Sequence, residues 1–147
     1  MTPVNENRRN KQINIGILLG LSAILIISLI VTISLLSPSP QKTVRQYYKY
    51  IAAENYKAAY SLLNGNYLKS KGTLEEFSAL FANARSHGTV YEKVRISQVR
   101  KTNRKSQKVV AFVLYTREKG KNTQGSGQYI LTYDKEQKQW FISDSID

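Results

Sequence analysis

The sequence predicts an α+β domain that follows a single transmembrane helix, and three observations carry that prediction. Residues 13–36 form a run of twenty-four residues without a charged side chain. Apolar side chains recur at helical spacing through residues 41–86. After Gly88 the apolar and polar side chains alternate instead. We therefore expect three helices packed on one face of a four-stranded antiparallel sheet.

Residues 13–36 are predicted to span a membrane. At ~1.5 Å per residue the segment reaches ~36 Å as a helix, more than the ~30 Å of a hydrocarbon core. A soluble helix of this length needs a polar face, which this segment lacks. Gly16 and Gly20 form one G-x-x-x-G pair, which is a candidate helix-pairing motif but also a common chance occurrence in membrane helices.

The charged flanks predict the orientation of the span. The tail, residues 1–12, is short and basic (Arg8, Arg9, Lys11). Short basic tails remain in the cytoplasm, whereas long domains are translocated largely regardless of their charge. We expect residues 41–147 to lie outside the cytoplasm. The reverse orientation stays open, because basic residues also follow the span.

The span is expected to be a permanent anchor. It is longer than the ~7–15 apolar residues of a cleavable signal. Cleavage after Ser37 or Ser39 would place proline at the new N-terminus, and the absence of cysteine excludes a lipoprotein anchor. Residues 37–40 (Ser-Pro-Ser-Pro) are predicted to end the helix and to form a short, stiff spacer.

Three helices are predicted in the first half of the domain. Residues 41–53 have an apolar stripe of Val44, Tyr47, Tyr48 and Ile51. Residues 55–63 form the second helix, which Asn55 is placed to cap and which the breaker Asn64-Gly65-Asn66 ends. The third begins with a capping box, Thr73 to Glu76, and ends near residues 83–86. Its expected buried face is Leu74, Phe77, Leu80 and Phe81.

Four strands are predicted after the helices, at residues 90–100, 109–117, 127–133 and 139–146. The second strand is apolar on both faces and is expected to lie in the interior of the sheet. The connections at residues 101–107 and 118–126 are polar, and the chain turns again at residues 134–138. The order of the elements indicates an antiparallel meander.

These residues carry a family resemblance. The pattern consists of Pro40, Val44, Tyr47-Tyr48, Asn55-Tyr56 and Ala59-Tyr60, followed by Leu62-Leu63, Thr73-Leu74, four strands and Trp140-x-Ile142. It resembles the nuclear transport factor 2-like (cystatin-like) superfamily. The pattern is similar to small bacterial single-pass membrane-anchored members of unknown function. The resemblance implies a cone, in which a curved sheet wraps around the helices. It implies no particular activity, since the superfamily includes enzymes and binding modules.

The sequence offers few residues for catalysis. An enzyme of this superfamily would place an acid–base pair in the cone. His87 is the only histidine and lies in a predicted turn, and Glu92 and Asp144 are better explained as charges near strand ends. One histidine and no cysteine provide no metal cluster, and no phosphate-binding loop is present. We therefore expect no catalytic residues, no metal and no cofactor.

The domain is strongly basic. Residues 41–147 contain nineteen Lys or Arg against nine Asp or Glu. The densest group is predicted around the first hairpin turn: Arg100, Lys101, Arg104, Lys105 and Lys108. Such a group is a candidate docking site for anionic envelope polymers or lipid headgroups, with nucleic acid less expected outside the cytoplasm. The alternative is a solvated hairpin loop without a partner.

The ten tyrosines suggest a second kind of site. Five of them fall on or near apolar stripes, where a ring is buried while its hydroxyl reaches water. They are candidate pocket-lining residues: Tyr47, Tyr56, Tyr60, Tyr129 and Tyr133. The alternative is that these rings form the core itself.

The leading functional hypothesis is a non-catalytic binding or assembly module, anchored in the cell membrane and facing away from the cytoplasm. Its expected partners are the lipid bilayer, anionic envelope polymers or headgroups, and proteins of an envelope complex. One alternative is a subunit of a conjugation or type IV secretion apparatus. Another is a small-ligand carrier or pocket enzyme, which requires a deep cavity that ends in a polar group.

Overall fold

The computed structural model describes residues 38–146, which lie in one compact unit. The predicted tail (1–12), the predicted span (13–36), the Gly16 and Gly20 pair and Ser37 lie outside the described residues. No helix within residues 38–146 has the length and apolar character needed to cross a membrane.

The first two helices follow the predicted capping and stripe. Helix α1 (Pro40–Ala52) begins after Ser39, whose hydroxyl accepts a hydrogen bond from the Lys42 amide at 3.3 Å. Its buried residues include the whole predicted stripe. Helix α2 (Tyr56–Tyr60) is capped by Asn55, whose Oδ1 accepts from the Ala58 amide at 3.2 Å.

The second helix is shorter than predicted, because the chain after it pairs with the sheet. The Ile142 amide donates to the Leu62 carbonyl, and the Asn64 amide donates to the Ile142 carbonyl, each at 2.9 Å. This pairing holds residues 62–64 against Ile142 and ends the helix at Tyr60.

The structure has four helices where the sequence predicted three. A short helix, α3 (Gly65–Ser70), follows directly after Asn64. The predicted breaker is also the start of this helix, and Gly65 there takes a positive φ of 58°, which glycine adopts without strain. Tyr67 is the buried residue of α3.

Helix α4 (Leu74–Ser86) has the predicted capping box. The Thr73 hydroxyl accepts from the Glu76 amide at 3.2 Å, and Glu76 Oε2 accepts from the Thr73 amide at 2.7 Å. Phe77 is fully buried, but Leu80 is 54% exposed. The expected burial of Leu80 is wrong, because α4 contacts the domain through the narrower face of Phe77 and Phe81.

The sheet is the predicted antiparallel meander. Its strands β1 (Thr89–Lys101), β2 (Gln107–Glu118), β3 (Lys121–Asp134) and β4 (Gln139–Ile146) are neighbours in chain order. Strand β2 lies in the interior of the sheet, as its two apolar faces predicted. The α+β class and the four-stranded antiparallel sheet are confirmed.

The third strand is longer than predicted. Residues 121–126, expected in a polar connection, belong to β3 and pair with β2 as far as Glu118 and Lys121. The connection is only Lys119-Gly120, and both residues have positive φ (47° and 81°). Two successive positive φ angles are typical of a tight type I′ hairpin turn. Gly125-Ser126-Gly127 therefore lies within a strand.

The core lies between the helices and one face of the sheet, called the inner face below. Tyr47, Phe77 and Ile51 of the helices and Leu131, Ile142 and Val110 of the sheet are all fully buried. Aromatic rings fill much of the space between the layers. Phe77, for example, lies 4.9 Å from Phe81 and 5.4 Å from Tyr60 between ring centroids.

Candidate functional site: a tyrosine cleft

An open cleft lies beside the core, between α3 and the middle of β3. Its volume is about 290 Å³, near the lower limit for small-molecule sites, so it suits a group the size of a single ring. We call it the tyrosine cleft. It is lined by Tyr48, Tyr67, Lys71, Phe112, Leu114, Gly125, Ser126, Gly127, Gln128, Tyr129, Ser145 and Ile146.

One glycine of β3, Gly125, leaves the space open. Gly125, Gly127 and Tyr129 alternate along the strand and share the inner face. A Cβ atom at Gly125 would meet no atom within 4 Å, whereas one at Gly127 would lie 2.8 Å from Phe112 Cζ. The ring of Phe112, which pairs with Gly127 across the strands, therefore fills the space above Gly127. The space above Gly125 stays open.

The cleft also borders a strand edge. Strand β4 pairs with residues 128–134 of β3, and β2 pairs with residues 121–132. Within the described part of the chain, residues 121–127 of β3 therefore have a strand partner on one side only. Backbone N–H and C=O groups on the other side are available to a ligand.

Three tyrosine hydroxyls meet at the base of the cleft. Tyr129 Oη lies 2.8 Å from Tyr48 Oη and 3.1 Å from Tyr67 Oη. The Tyr47 hydroxyl extends this network, because it is hydrogen-bonded to Tyr67. Four hydroxyls carry four protons, and the three contacts between them use three. When Tyr47 donates to Tyr67, Tyr67 to Tyr129 and Tyr129 to Tyr48, the proton left over is that of Tyr48, which lines the cleft. One proton remains for an acceptor outside this chain of hydroxyls. The base of the cleft can therefore donate one hydrogen bond to a ligand oxygen.

Burial keeps these hydroxyls protonated. Burial is the main cause that raises the pKa of Tyr48 and of Tyr129 above the ordinary tyrosine value. For Tyr129, the neighbouring Tyr48 and Tyr67 raise the pKa further, because a second phenolate beside a first is unfavourable. Both groups act as neutral hydrogen-bond donors and acceptors at physiological pH.

A cation lies at the same cleft. Lys71 Nζ is 4.7 Å from the centroid of the Tyr67 ring, within the distance at which a cation is attracted to an aromatic face. The cleft thus combines an ammonium group, a spare hydroxyl proton and an apolar wall of Phe112 and Leu114. This combination suits a ligand with an apolar body and an oxygen acceptor.

The five predicted pocket tyrosines do not lie together. Tyr129 lines the cleft, and Tyr47 lies in the core with its ring edge-on to Tyr129, at 6.2 Å. Tyr56 stacks on Phe81, Tyr60 donates to the Gly72 carbonyl at 2.7 Å, and Tyr133 packs on Trp140.

The other candidate residues in the described part of the chain do not line the cleft. His87 Nδ1 is 2.8 Å from the carbonyl oxygen of Asn83 at the end of α4. Glu92 forms an ion pair with Arg117 at 3.0 Å. Asp144 lies 3.5 Å from Asn66 Nδ2. The five predicted docking cations lie on or beside the β1–β2 loop, at the end of the sheet away from the β2–β3 turn. One of them, Arg100, donates a hydrogen bond at 2.6 Å to Oε1 of Gln128, which belongs to the cleft lining.

Sequence reasoning did not identify Tyr48, Tyr67, Lys71 or Phe112 as site residues. Tyr48 was placed on the core stripe of α1, which is where it lies, but its hydroxyl extends to the cleft. A usable signal was the stretch Gly125–Tyr129, in which two glycines and a tyrosine share one face. That pattern predicts an opening beside a tyrosine once the residues are known to form a strand.

No protein-family model matches the sequence, and no curated protein sequence matches it. A SEC-C motif-containing protein from Psychrobacter arcticus has a similar structure, with a TM-score of 0.54 and 9% identity. The match covers 74% of this chain and 60% of that one.

A ketosteroid isomerase-like protein from Erwinia carotovora atroseptica matches with a TM-score of 0.49 and 11% identity, over 73% of this chain and 93% of that one. A protein of unknown function with a cystatin-like fold from Methylobium petroleophilum matches with a TM-score of 0.45 and 8% identity, over 76% of this chain and 82% of that one. The predicted resemblance to the nuclear transport factor 2-like (cystatin-like) superfamily is confirmed as a likeness of fold.

Proposed function

We propose that the chain is a membrane-anchored, extracytoplasmic binding module that holds its ligand in the tyrosine cleft. The observation that carries the binding half is the convergence of the Tyr48, Tyr67 and Tyr129 hydroxyls beside an open, apolar-walled space. The anchor is supported by the uncharged segment 13–36 and its flanks.

The cleft chemistry defines the ligand class. The apolar body contacts Phe112 and Leu114, while an oxygen acceptor receives the spare hydroxyl proton. A carboxylate or phosphate oxygen gains further from Lys71, because a charge-assisted hydrogen bond is about twice as strong as a neutral one. An aromatic or branched carboxylate meets these requirements, either as a free molecule or at the end of a partner's chain.

Binding requires no chemical step. The Tyr48 and Tyr129 hydroxyls are held neutral by burial, and each accepts or donates without changing its protonation state. The module would therefore retain its ligand unchanged close to the bilayer and present it there.

The binding half is tested with para-fluorocinnamate, an aromatic carboxylate that can be followed by fluorine NMR. The full chain is held in lipid nanodiscs, and empty nanodiscs are the control. Line broadening beyond that of the empty discs is expected. The same line width with and without the chain, for this probe and for para-fluorobenzoate, would contradict binding in the cleft.

The topology half is tested by thiol labelling. The chain contains no cysteine, so a Ser126→Cys variant has a single thiol, on an exposed residue of β3. A membrane-impermeant maleimide should label this thiol in intact cells. Labelling only after the cells are lysed would show that the domain faces the cytoplasm.

A further inference from the structure

The β1–β2 loop, the β3–β4 turn and the start of α1 lie at one end of the domain. The Tyr133 amide donates to the Ser106 carbonyl at 2.8 Å, which joins the loop to the turn. The Thr43 hydroxyl donates to the Trp140 carbonyl at 3.3 Å, which joins the turn to α1. The chain enters the domain at this end, since Pro38 directly precedes α1. We call it the entry end.

The entry end carries a net positive charge, because the two carboxylates of the β3–β4 turn (Asp134, Glu136) are matched by its two lysines (Lys135, Lys138). Residues 100–108 contain five cations and no carboxylate. The two ion pairs within residues 38–146, Arg85–Glu54 and Arg117–Glu92, both lie at the opposite end, where β1 begins and β2 ends. Carboxylates therefore balance part of the charge at the opposite end, whereas the five cations of the β1–β2 loop form neither of these pairs.

The loop that carries these cations is internally bonded. The Arg104 amide donates to the Thr102 hydroxyl at 3.1 Å, and that hydroxyl donates to the Arg104 carbonyl at 3.0 Å. The Gln107 amide donates to the same carbonyl at 3.0 Å. The loop backbone is thus fixed before any contact is made, so that docking orders only the side chains.

We propose that the entry end rests on anionic lipid headgroups of the bilayer that holds residues 13–36. This inference depends on the proposed membrane anchor. The spacer, residues 37–40, extends to at most ~14 Å, so the domain cannot move far from the surface. At physiological salt, charges attract over about 8 Å, a distance similar to this tether. The five cations then orient the domain and direct the β2–β3 turn away from the bilayer.

The single tryptophan reports on this contact, because Trp140 lies at the entry end. The full chain is placed in nanodiscs that contain a dansyl-headgroup lipid, and energy transfer from Trp140 to dansyl is measured. One set of discs is phosphatidylcholine alone, and the other contains equal parts of phosphatidylglycerol. Higher transfer is expected in the anionic discs, with loss of the difference when salt is raised.

Two matched variants test the assignment. Arg104→Glu/Lys105→Glu reverses two charges at the entry end and should abolish the difference between the discs. Lys119→Glu/Lys121→Glu reverses two charges at the opposite turn and should preserve it. The same loss in both variants, or equal transfer in the two wild-type discs, would overturn the proposal. Equal transfer together with heparin binding that Arg104→Glu/Lys105→Glu weakens would instead assign the cations to an anionic polymer.

The anchor is checked separately by extracting vesicles with alkaline carbonate. A chain that stays in the vesicles but shows equal transfer in both discs refutes the lipid contact and leaves the proposed function standing. A chain that is extracted refutes the anchor, and the lipid contact with it.

Discussion

The two halves of the inner sheet face are formed by the same strands, but one half is covered by the helices and the other is partly open. In one half, Val110, Leu131 and Ile142 are fully buried beneath the helices. In the other half, Leu114 pairs with Gly125, and the space above that glycine is open. The tyrosine hydroxyls lie at the boundary between the filled half and the open half. The difference suggests that the filled half provides stability and the open half provides the binding site.

The largest expected effect is in the filled half. Phe77→Ala removes a fully buried ring that contacts Tyr47, Tyr60 and Phe81. The loss of the ring and the resulting cavity should lower the free energy of unfolding by about 3–5 kcal/mol. Urea unfolding of the full chain in detergent micelles, followed by Trp140 fluorescence, measures the change.

Leu80→Ala is the matched control, because Leu80 lies on the same helix and is 54% exposed. Its effect should stay within about 0.5 kcal/mol. Equal losses for the two variants would mean that the filled half does not depend on this aromatic packing.

An effect of intermediate size is expected at Tyr129, on the boundary between the filled and the open half. There the free energy of unfolding should depend on pH in the alkaline range. Burial raises the pKa of Tyr129, so the folded chain keeps this proton above pH ~10, where the unfolded chain has lost it. Its contribution to stability is complete below pH ~10 and is lost as the pH rises towards the raised pKa. Each pH unit above ~10 should cost about 1.4 kcal/mol for this residue.

Tyr129→Phe removes that contribution, so its free energy of unfolding should fall less steeply above pH ~10 than that of the wild type. Urea unfolding at a series of alkaline pH values gives the two slopes. Parallel slopes would indicate that Tyr129 ionises equally in the folded and unfolded chains, and that the boundary is more accessible to water than its burial implies.

The sequence predicted the filled half better than the open half. The stripe of α1 and the capping box of α4 depend on residues three or four apart, and both were predicted correctly. The open half depends on distant pairs, since Tyr67 and Tyr129 are separated by 62 positions in the chain. No local pattern indicates that their hydroxyls meet.

Pairing with the sheet explains two of the errors in element boundaries. Lys119-Gly120 supplied a two-residue turn that the sequence prediction missed, and residues 121–126 were therefore assigned to a loop. Residues 62–64 pair with Ile142, a contact that overrides the helical spacing of the preceding residues. In both cases, pairing with the sheet decided the conformation.

The smallest expected change in stability belongs to the variant that tests the central claim most directly. Gly125→Leu adds a side chain whose Cβ would meet no atom within 4 Å, at a position whose backbone does not require glycine. It should leave the free energy of unfolding within about 0.5 kcal/mol of the wild type. Gln124→Leu is the matched control, because the adjacent side chain points to the opposite face of the sheet.

The decisive measurement is the fluorine NMR titration of para-fluorocinnamate against these three forms of the full chain in nanodiscs. If the cleft is the binding site, the wild type and Gln124→Leu should broaden the probe signal, and Gly125→Leu should not. Equal broadening by Gly125→Leu and the wild type would place the ligand elsewhere and contradict the account.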